Sequence, residues 1–446
     1  MTFTILGDYM LNDLFLNRMK EYLKEDFDLF LESYNNENIR SFTINNNYIS
    51  DEHFESIFDL PIKKIPFISN GYYLLEKDVK LGFHPLHHAG AFYMQDPSAM
   101  TVVESIEFKT DLMVLDLCAS PGGKTIQLAS KVKDGIVISN EIDFKRAKVL
   151  YSNVERMGLS NVVVTNNKPS DFLKNFQNSF DIILIDAPCS GEGMFRKYPE
   201  SQELWSIDNV KLCHDRDIEI VDVAHKLLKK GGMLIYSTCT FAKEENEDII
   251  TYLVENYNYE QVDIKHELKS SLREGFIPKT YRFYPHVSEG EGQFLAVLKK
   301  LDGDVFYPKR NNKFYSSVEF NDFCKKNLNV VLNNIINKND NLYYSPTDID
   351  LSSLKVINYG VKLGEIYNKR FIPDHNMFKS FSHLFINKIE LDYKDELITK
   401  YLRGEQISLE CSNGFGVIKI NGVPLGGFKA NNNNLNNYYP KGLRNF

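Results

Sequence analysis

The sequence is poor in cysteine and has no long apolar run. Its six cysteines are scattered over 446 residues, which argues against a disulfide framework and favours free thiols. No run of roughly 18 apolar residues occurs, so neither a membrane-spanning helix nor a membrane partner is expected. The N-terminal segment mixes apolar residues with Asp8, Asp13 and Arg18, and lacks the basic start and apolar core of an export signal. We therefore expect a cytoplasmic protein.

Acidic residues outnumber basic ones, with 60 Asp and Glu against 52 Lys and Arg. The formal net charge is −8 at pH 7, which argues against a protein that coats nucleic acid indiscriminately but leaves room for a local basic groove. Hydrophobic residues make up 43% and charged residues 25% of the chain, as in ordinary globular proteins. A chain of 446 residues exceeds the size at which one core stops growing, so about three domains are expected.

The middle of the chain alternates apolar runs with helical patterns. Strands are predicted at 113–117, 136–139, 162–165, 182–185 and 233–236, and helices at 124–131, 144–157, 216–228 and from about Lys243. This alternation predicts an α/β fold with a doubly wound, mostly parallel sheet. The run 294–298 predicts a late antiparallel strand. We assign residues 109–300 to this domain.

A smaller α+β unit is predicted ahead of the sheet, over residues 1–108. Apolar residues up to about residue 60 have roughly helical spacing. The segment 67–83 has the pattern of a hairpin, with Asn70-Gly71 as its turn. We expect this unit to pack on the domain of residues 109–300.

Two units are predicted after the sheet. Residues 301–370 predict a small α/β linker domain, with a helix over 318–337 and short strands near Leu354 and Gly364. Residues 371–446 predict a β-rich unit that contains a strand at 416–420 followed by a turn at Asn421-Gly422.

Three histidines, His84, His87 and His88, are close enough in sequence to suggest a metal site. No cysteine or carboxylate stands at ligand spacing, and Pro85 interrupts any helix face. We interpret the histidines as structural and predict no metal.

Two cysteines follow two of the predicted strands. Cys189 lies in Asp186-Ala187-Pro188-Cys189-Ser190, and Cys239 lies in Ser237-Thr238-Cys239-Thr240. The carboxyl ends of parallel strands face the crevice where such sheets bind ligands. Either cysteine alone could be an ordinary buried thiol, but Asp186 beside the first favours a functional pair. One thiol would attack a substrate and the other would help it leave.

A glycine-bearing turn, VLDLCASPGGKT over 114–125, follows the first predicted strand of the sheet. Such a turn lets a ligand approach backbone amides at the start of a helix. Its spacing matches neither a dinucleotide nor a phosphate-binding loop. About 25 residues later, Glu141 ends the next strand, where a carboxylate can accept both hydroxyls of a ribose. The pattern favours S-adenosylmethionine over NAD, although Glu141 could instead be a solvated acid at a helix start.

Two thiols and a carboxylate suit methylation of cytosine at carbon 5. That carbon is a poor nucleophile until a thiolate adds to carbon 6. The reaction needs the thiolate, an acid for ring N3 and a group that assists elimination. Cys239, Asp186 and Cys189 can fill these three roles.

The chain resembles the Sun-type RNA cytosine-5 methyltransferases, particularly the bacterial branch that acts on 16S ribosomal RNA. The resemblance spans nearly the whole chain and rests on HPLHHAGAFYMQDPSAM, LDLCASPGGKT, DAPCSGEGMFRK, YSTCTF, NGVPLGGFK and YYPKGLRN. It implies a Rossmann-like methyltransferase domain, with Cys239 as nucleophile and Cys189 as the release cysteine.

The resemblance also implies the other site residues. Those around S-adenosylmethionine would be Cys118, Ala119, Ser120, Pro121, Gly122, Gly123, Lys124, Glu141 and Asp186. Lys124 and Asp186 would also lie near the reacting base. One departure concerns the adenine contact: many members carry an aspartate after the third strand, where this chain has Asn166-Asn167-Lys168-Pro169.

The last unit resembles the PUA-type RNA-binding domain of this branch. Lys419, Lys429, Lys441 and Arg444 would form a phosphate-contacting surface there, unless they are simply a solvated face. Arg196 and Lys197 are further candidates for contacts with the RNA backbone. A base can react at carbon 6 only when it is unstacked, so a looped or incompletely assembled RNA is the expected substrate.

Other functions fit the sequence less well. A DNA cytosine-5 methyltransferase would use Cys189 as its nucleophile and would not need Cys239, so we expect no DNA substrate. An amino-methyltransferase would carry a Pro-Pro-aromatic loop after Asp186. The remaining alternatives are a transfer RNA cytosine-5 methyltransferase and a noncatalytic ribosome-assembly factor. We expect a monomer whose partner is 16S ribosomal RNA or the small subunit.

Overall fold

The computed structural model describes residues 3–6, 9–311 and 314–444. A ten-stranded sheet lies at its centre. Its strands are β7 (Met113–Asp116), β8 (Ile136–Asn140), β9 (Val162–Thr165), β10 (Phe180–Asp186), β11 (Leu228–Thr238), β12 (Tyr259–Val262), β13 (Arg273–Glu274), β14 (Thr280–Phe283), β15 (Gln293–Lys300) and β18 (Val356–Asn358). Its helices are α6 (Gly123–Lys131), α7 (Phe144–Arg156), α8 (Ile207–Leu227) and α9 (Glu247–Asn256).

The centre of this sheet has the order β11-β10-β7-β8-β9, and all its neighbouring strands are parallel. The chain starts at β7, builds outward to β9, then returns to place β10 on the other side of β7. The direction of winding therefore reverses between β7 and β10, which is where doubly wound sheets bind ligands. The predicted parallel sheet is confirmed, and so is the late antiparallel strand, because β15 pairs antiparallel with β11.

Both faces of the sheet are covered by helices. Successive residues of a strand point to opposite faces, so each strand contributes apolar side chains to both. Val114 and Leu184 belong to a core formed with α5 (Pro97–Glu104), α6 and α7. Leu115 and Ile183 belong to a second core formed with α8 and α9. The uninterrupted apolar runs of the sequence are thus explained by burial on two sides.

Helix α8 begins nine residues earlier than the predicted start at Arg216, because Ser206 caps it by accepting a hydrogen bond from the Asn209 N–H. In the part of the chain that the structure describes, no helix is long and apolar enough to cross a membrane.

The N-terminal unit contains more strand than predicted. Its strands are β1 (Phe3–Leu6), β2 (Tyr9–Asn12), β3 (Arg40–Ile44), β4 (Ile62–Lys64), β5 (Gly71–Leu74) and β6 (Phe92–Met94), and its helices, before α5, are α1 (Asp13–Leu23), α2 (Phe27–Ser33), α3 (Asp51–Ile57) and α4 (Pro85–His88). Strands β4-β5-β3-β6 form an antiparallel sheet. The prediction of helices alone up to residue 60 is therefore wrong.

The predicted turn at Asn70-Gly71 lies one residue earlier, because the Gly71 N–H donates to the Ile68 carbonyl and Ser69 and Asn70 are the central residues. Strands β4 and β5 do form a hairpin, but its loop runs over 65–70 and Gly71 is the first residue of β5. A Cβ on Gly71 would lie 2.7 Å from the Ile68 side chain. The glycine is thus explained by close packing of the loop rather than by a two-residue turn.

The C-terminal part contains two small sheets. The first has the order β16-β17-β19-β20 and the second β21-β23-β24-β25-β22. Their strands are β16 (Ile335–Lys338), β17 (Asn341–Tyr344), β19 (Val361–Tyr367), β20 (Arg370–Pro373), β21 (Asn387–Leu391), β22 (Ile407–Ser408), β23 (Gly414–Ile420), β24 (Val423–Asn431) and β25 (Asn434–Asn437). The helices are α10 (Val318–Asn327), α11 (His375–Ser380) and α12 (Glu396–Leu402).

Two predictions for this part can be compared with the structure. Asn421 and Gly422 both have positive φ between β23 and β24, which confirms the predicted hairpin turn. The helix predicted over 318–337 ends at Asn327, and the next residues, 328–334, include three asparagines and two valines, which are weak helix formers. The chain then turns into β16, where Ile335 is buried.

Candidate active site

The two cysteine loops lie side by side because their strands are in register. Asp186 at the end of β10 pairs with Ser237 near the end of β11. The loops that follow bring the Cys189 and Cys239 sulfurs to 3.3 Å. Both side chains are half-buried free thiols. The structure thus brings together the two cysteines that the sequence analysis paired.

The two thiols are not equivalent. A hydrogen bond to Cys239, followed by burial and the charge of Glu245, raises the pKa of Cys189 well above its usual range. Cys189 therefore holds its proton more tightly than an ordinary thiol. In its protonated state it can donate its S–H hydrogen bond to the Cys239 sulfur.

Asp186 and Lys124 form an ion pair next to the thiols. Lys124 Nζ lies 2.8 Å from Asp186 Oδ2, and the other carboxylate oxygen accepts a 3.0 Å hydrogen bond from Ser237 Oγ. Gln293 on β15 donates to Ser237 Oγ and, at 3.4 Å, to Asp186. Three strands and a helix thus fix one carboxylate.

Two cavities meet at these groups. The first has a volume of about 550 Å³ and the second about 390 Å³. The residues that line both are Cys118, Ser120, Asp186 and Cys239. A molecule in one cavity could therefore exchange a small group with a molecule in the other across the ion pair and the thiols.

The glycine-bearing turn separates the two cavities. Gly122 caps the start of α6 with φ +116° and approaches the Leu150 side chain, so this position requires a residue without Cβ. The predicted cofactor residues are divided between the cavities. Glu141 lines only the first, whereas Ala119, Pro121, Gly123 and Lys124 line only the second. Gly122 lines neither cavity.

Glu141 is buried, with 3% of its surface exposed. Its Oε1 accepts a 2.9 Å hydrogen bond from the Asp143 N–H, and Arg146 lies 3.6 Å from its Oε2. Ile142, Pro188 and Ile220 give the rest of this cavity an apolar wall. A carboxylate held at an apolar wall suits a nucleoside, whose ribose hydroxyls donate while its base packs.

The asparagines that replace the expected adenine-contacting aspartate point away from the first cavity. Asn166 donates to the carbonyls of Glu141 and Ile142 and accepts from Lys355. Asn167 donates to the Lys355 carbonyl and accepts from its N–H. Together they attach β18, which pairs with β9. Lys168, Pro169 and Ser170 line the cavity instead.

Buried carboxylates that the sequence analysis missed hold the cysteine loops. Glu245 accepts from the N–H and the hydroxyl of Ser190, at 2.8 and 2.5 Å. Glu192 accepts from the Phe241 N–H and the Trp205 indole at 3.1 and 3.0 Å. For Glu245 the signal was the acidic run after YSTCTF, which is typical of a solvated helix start, but Glu245 itself is buried.

Four family models together cover most of the chain. They are described as the N-terminal domain of 16S rRNA methyltransferase RsmF (residues 11–97), 16S rRNA methyltransferase RsmB/F (103–299), the RsmF first C-terminal domain (322–379) and the methyltransferase RsmF PUA domain (387–445). Ribosomal RNA small subunit methyltransferase F of Shewanella piezotolerans is 30% identical over 97% of both chains. The chain belongs to this family. The prediction of a methyltransferase of this branch is confirmed.

Further relatives agree with this assignment. The protein of the same name from an Enterobacter species is 28% identical over 97% of this chain and 95% of its own. A methyltransferase homologue from Pyrococcus horikoshii has a similar structure, with a TM-score of 0.56, 26% identity, and coverage of 66% of this chain and 96% of that one. NSun6 from the same organism, solved with SFG, has a TM-score of 0.58 at 20% identity, over 65% of this chain and 98% of its own.

In this member of the family, Arg196 is not placed to contact RNA. It is buried, with 6% of its side chain exposed, and donates to both carboxylate oxygens of Glu291. It also donates to the carbonyls of Ser33 and Gly290. The sequence prediction for Arg196 is wrong because the guanidinium ties three segments together. Its neighbour Lys197 is exposed.

The predicted basic residues of the last unit differ in exposure. Lys429 and Lys441 are exposed. Lys419 is half-buried with its Nζ 3.9 Å from Glu390, and Arg444 donates to the Tyr439 carbonyl. A phosphate-contacting role therefore stays a prediction, best supported for Lys429 and Lys441.

The three histidines lie at the start of α4. His84 Nδ1 accepts the Leu86 N–H and so caps this helix. Burial lowers the pKa of all three, to about 4 for His84, 3 for His87 and 4 for His88. Within residues 3–6, 9–311 and 314–444, no group of three metal-ligating side chains is placed to hold a metal ion.

Proposed function

We propose that this protein is an S-adenosylmethionine-dependent RNA cytosine-5 methyltransferase that modifies 16S ribosomal RNA. The observation that carries the proposal is the pair of sulfurs 3.3 Å apart where two cavities meet. A methyltransferase needs one site for the methyl donor and one for the acceptor, and covalent chemistry at cytosine needs a nucleophile beside a group that assists release. The names of the relatives support ribosomal RNA as the substrate.

The first cavity suits S-adenosylmethionine. Its volume of about 550 Å³ is in the range of small-molecule sites, and Glu141 offers a buried carboxylate for the ribose. Ile142, Pro188 and Ile220 offer apolar surface for the adenine. S-adenosylmethionine bound there supplies an electrophilic methyl group. The adenine edge would be read by the 168–170 segment, since Asn166 and Asn167 are engaged elsewhere.

The second cavity would receive the cytosine. Cys239, as a thiolate, forms a bond from its sulfur to carbon 6, and the ring electrons move to carbon 5. The hydrogen-bonded pair of Asp186 and Lys124 delivers a proton to ring N3, so no free anion develops on the base. Carbon 5 is then nucleophilic and would take the methyl group as the methyl–sulfur bond of S-adenosylmethionine breaks, so that S-adenosylhomocysteine would be the leaving group.

Release needs a base for the proton on carbon 5. Cys189 loses its proton to solvent and takes the carbon 5 proton, the double bond to carbon 6 re-forms, and the Cys239 thiolate leaves. The N3 proton returns to the Asp186 and Lys124 pair. The first cause of the raised Cys189 pKa is its hydrogen bond to Cys239. That cause disappears when Cys239 becomes a thioether, so Cys189 becomes easier to deprotonate once the adduct exists.

Ribosomal RNA from cells with and without the gene tests the proposal by bisulfite sequencing. We expect one or more cytosines of 16S ribosomal RNA to lose protection in the deletion strain, and to regain it when the wild-type gene is restored. The gene with Cys239→Ala should not restore it. Unchanged protection in 16S ribosomal RNA would contradict the proposal. Loss of protection in transfer RNA alone would identify transfer RNA as the substrate instead. Unchanged protection in every RNA would favour the noncatalytic assembly factor.

A further inference from the structure

The mouth of the second cavity carries surface that the chemistry at Cys239 does not use. One wall comes from Tyr93 to Asp96, on and after β6, and the other includes Met194, Lys197 and Tyr198 from the loop after Cys189. Tyr198 is 47% and Met94 is 42% exposed. Since both line the cavity and also face solvent, they lie at its opening.

The loop that presents Tyr198 is held firmly. The N–H groups of Lys197 and Tyr198 donate to the Met194 carbonyl at 3.0 and 2.8 Å. Arg196, the residue before Lys197, is held in place by hydrogen bonds to the Glu291 carboxylate and to the Ser33 and Gly290 carbonyls. The buried arginine therefore fixes a backbone whose next two side chains point to the opening.

The chemistry of this opening suits a nucleotide. Lys197 Nζ lies 5.7 Å from the centre of the Tyr198 ring, so a cation and an aromatic face are presented together. Aromatic rings stack on bases of any sequence, and lysine neutralises a phosphate. The Asp96 carboxylate nearby is held by the protein, because its Oδ1 accepts from the Ser98 N–H and hydroxyl and from the Glu291 N–H.

We infer that Met94, Lys197 and Tyr198 form a subsite for the nucleotide next to the target cytosine in single-stranded RNA. The neighbouring base stacks on Tyr198 and Met94, and a flanking phosphate binds Lys197. A base that reaches Cys239 through this opening must leave its neighbour at the rim, because the strand is continuous. This inference rests on the proposed function and adds the residues that hold the unstacked strand.

Steady-state methylation of 16S ribosomal RNA from the deletion strain tests the subsite. Tyr198→Ala should raise KM about tenfold or more with little change in kcat, whereas Tyr198→Phe should stay within about twofold because stacking does not need the hydroxyl. Lys197→Ala should raise KM and reduce the slope of log affinity against log salt by about 1. Tyr307→Ala is the matched control, since Tyr307 is 83% exposed and lines neither cavity.

A second measurement separates stacking from general damage. An RNA fragment around the modified cytosine, with one neighbouring nucleotide made abasic, should bind wild type about tenfold more weakly and Tyr198→Ala no more weakly than the intact fragment. Tyr198→Ala with an unchanged KM, or Tyr198→Phe as impaired as Tyr198→Ala, would overturn the subsite alone. Wild-type protein that does not methylate the ribosomal RNA would overturn the proposed function, and the subsite with it.

Discussion

Glu245 ties the loop of one catalytic cysteine candidate to the loop of the other. It follows Cys239 in the chain, and its carboxylate accepts both the N–H and the hydroxyl of Ser190, the residue after Cys189. Ser190 Oγ also lies 2.9 Å from Thr240 Oγ1. The 3.3 Å distance between the sulfurs is therefore set by buried hydrogen bonds and not by the two thiols themselves.

Glu245→Gln should loosen the Cys189 loop. The amide can accept only one of the two hydrogen bonds, so a buried donor of Ser190 loses its partner at a cost of about 1–3 kcal/mol in unfolding free energy. We expect release of the RNA adduct to slow more than its formation, which single-turnover assays on a denaturing gel would measure. Glu255→Gln, at an exposed position on α9, is the control. Equal slowing of both steps would argue against a role in positioning Cys189.

Substitution of the two cysteines should block the reaction at different steps. Cys189→Ala should accumulate a covalent protein–RNA adduct that migrates slowly on a denaturing gel, because addition by Cys239 remains while release does not. Cys239→Ala should give neither adduct nor product, and the double variant should behave like Cys239→Ala. Loss of activity in Cys189→Ala without an adduct would contradict the release role, and turnover by Cys239→Ala would remove it as the nucleophile.

Release should depend on pH through Cys189. Burial and the charge of Glu245 still raise its pKa after Cys239 has become a thioether, so at low pH it stays protonated and cannot take the carbon 5 proton. We expect wild-type enzyme to hold more trapped adduct at pH 6 than at pH 8.5, measured by quenching the reaction at steady state. Cys189→Ala should hold a fraction of adduct that does not change with pH. A wild-type adduct fraction that rises with pH would contradict the assignment.

Binding of the cofactor should depend on Glu141. Glu141→Ala removes the buried carboxylate of the first cavity, and loss of charged hydrogen bonds costs about 1.5–3 kcal/mol, or roughly a ten- to hundredfold weaker affinity. Calorimetry with S-adenosylmethionine measures this directly. Asp143→Asn is the control, because asparagine caps a helix as well as aspartate does. Unchanged cofactor affinity in Glu141→Ala, or an equal loss of RNA affinity, would exclude the ribose role.

The sequence predicted those parts of the site that follow directly from strand ends. A buried parallel strand reads as an apolar run, so the positions of Cys118, Asp186 and Cys239 at one edge of the sheet could be inferred from the order of runs. The pairing of Asp186 with Lys124 depends on how α6 packs, and only the structure gives its 2.8 Å distance. The motifs that carried the family resemblance supplied the roles, not the geometry.

Other residues could not be read from the sequence, because their role depends on partners far along the chain. Arg196 was interpreted as an RNA contact from its charge, but its partner Glu291 is about 95 residues away. Glu245 belongs to a run of acids that is typical of an exposed helix start. Strand β18 is short, and besides its pairing with β9 it is attached through Asn166, Asn167 and Lys355. Burial of polar groups by distant contacts leaves no local pattern to recognise.

Asp217 on α8 should make folding stability depend on pH. It is fully buried, and burial, with the charge of Glu245, raises its pKa to about 8, against about 3.9 in an unfolded chain. Between these values the folded protein holds a proton that the unfolded chain has lost. Stability is therefore greatest below pH 4 for this group and falls as the pH rises towards 8, by up to about 1.4 kcal/mol per pH unit.

Asp217→Asn removes this titration while keeping an acceptor for the Tyr236 hydroxyl, which donates to Asp217 at 3.2 Å. We expect the variant to lose less stability than wild type between pH 5 and pH 8, measured by urea unfolding at both values. Asp215→Asn, at an exposed position on the same helix, should keep the wild-type difference. Some pH dependence should remain in Asp217→Asn, because burial also raises the pKa of Glu245 to about 7. If Asp217→Asn showed the same change in stability between pH 5 and pH 8 as wild type, Asp217 would be ionised in the folded protein. The buried carboxylates beside the Cys189 loop would then need a counter-charge.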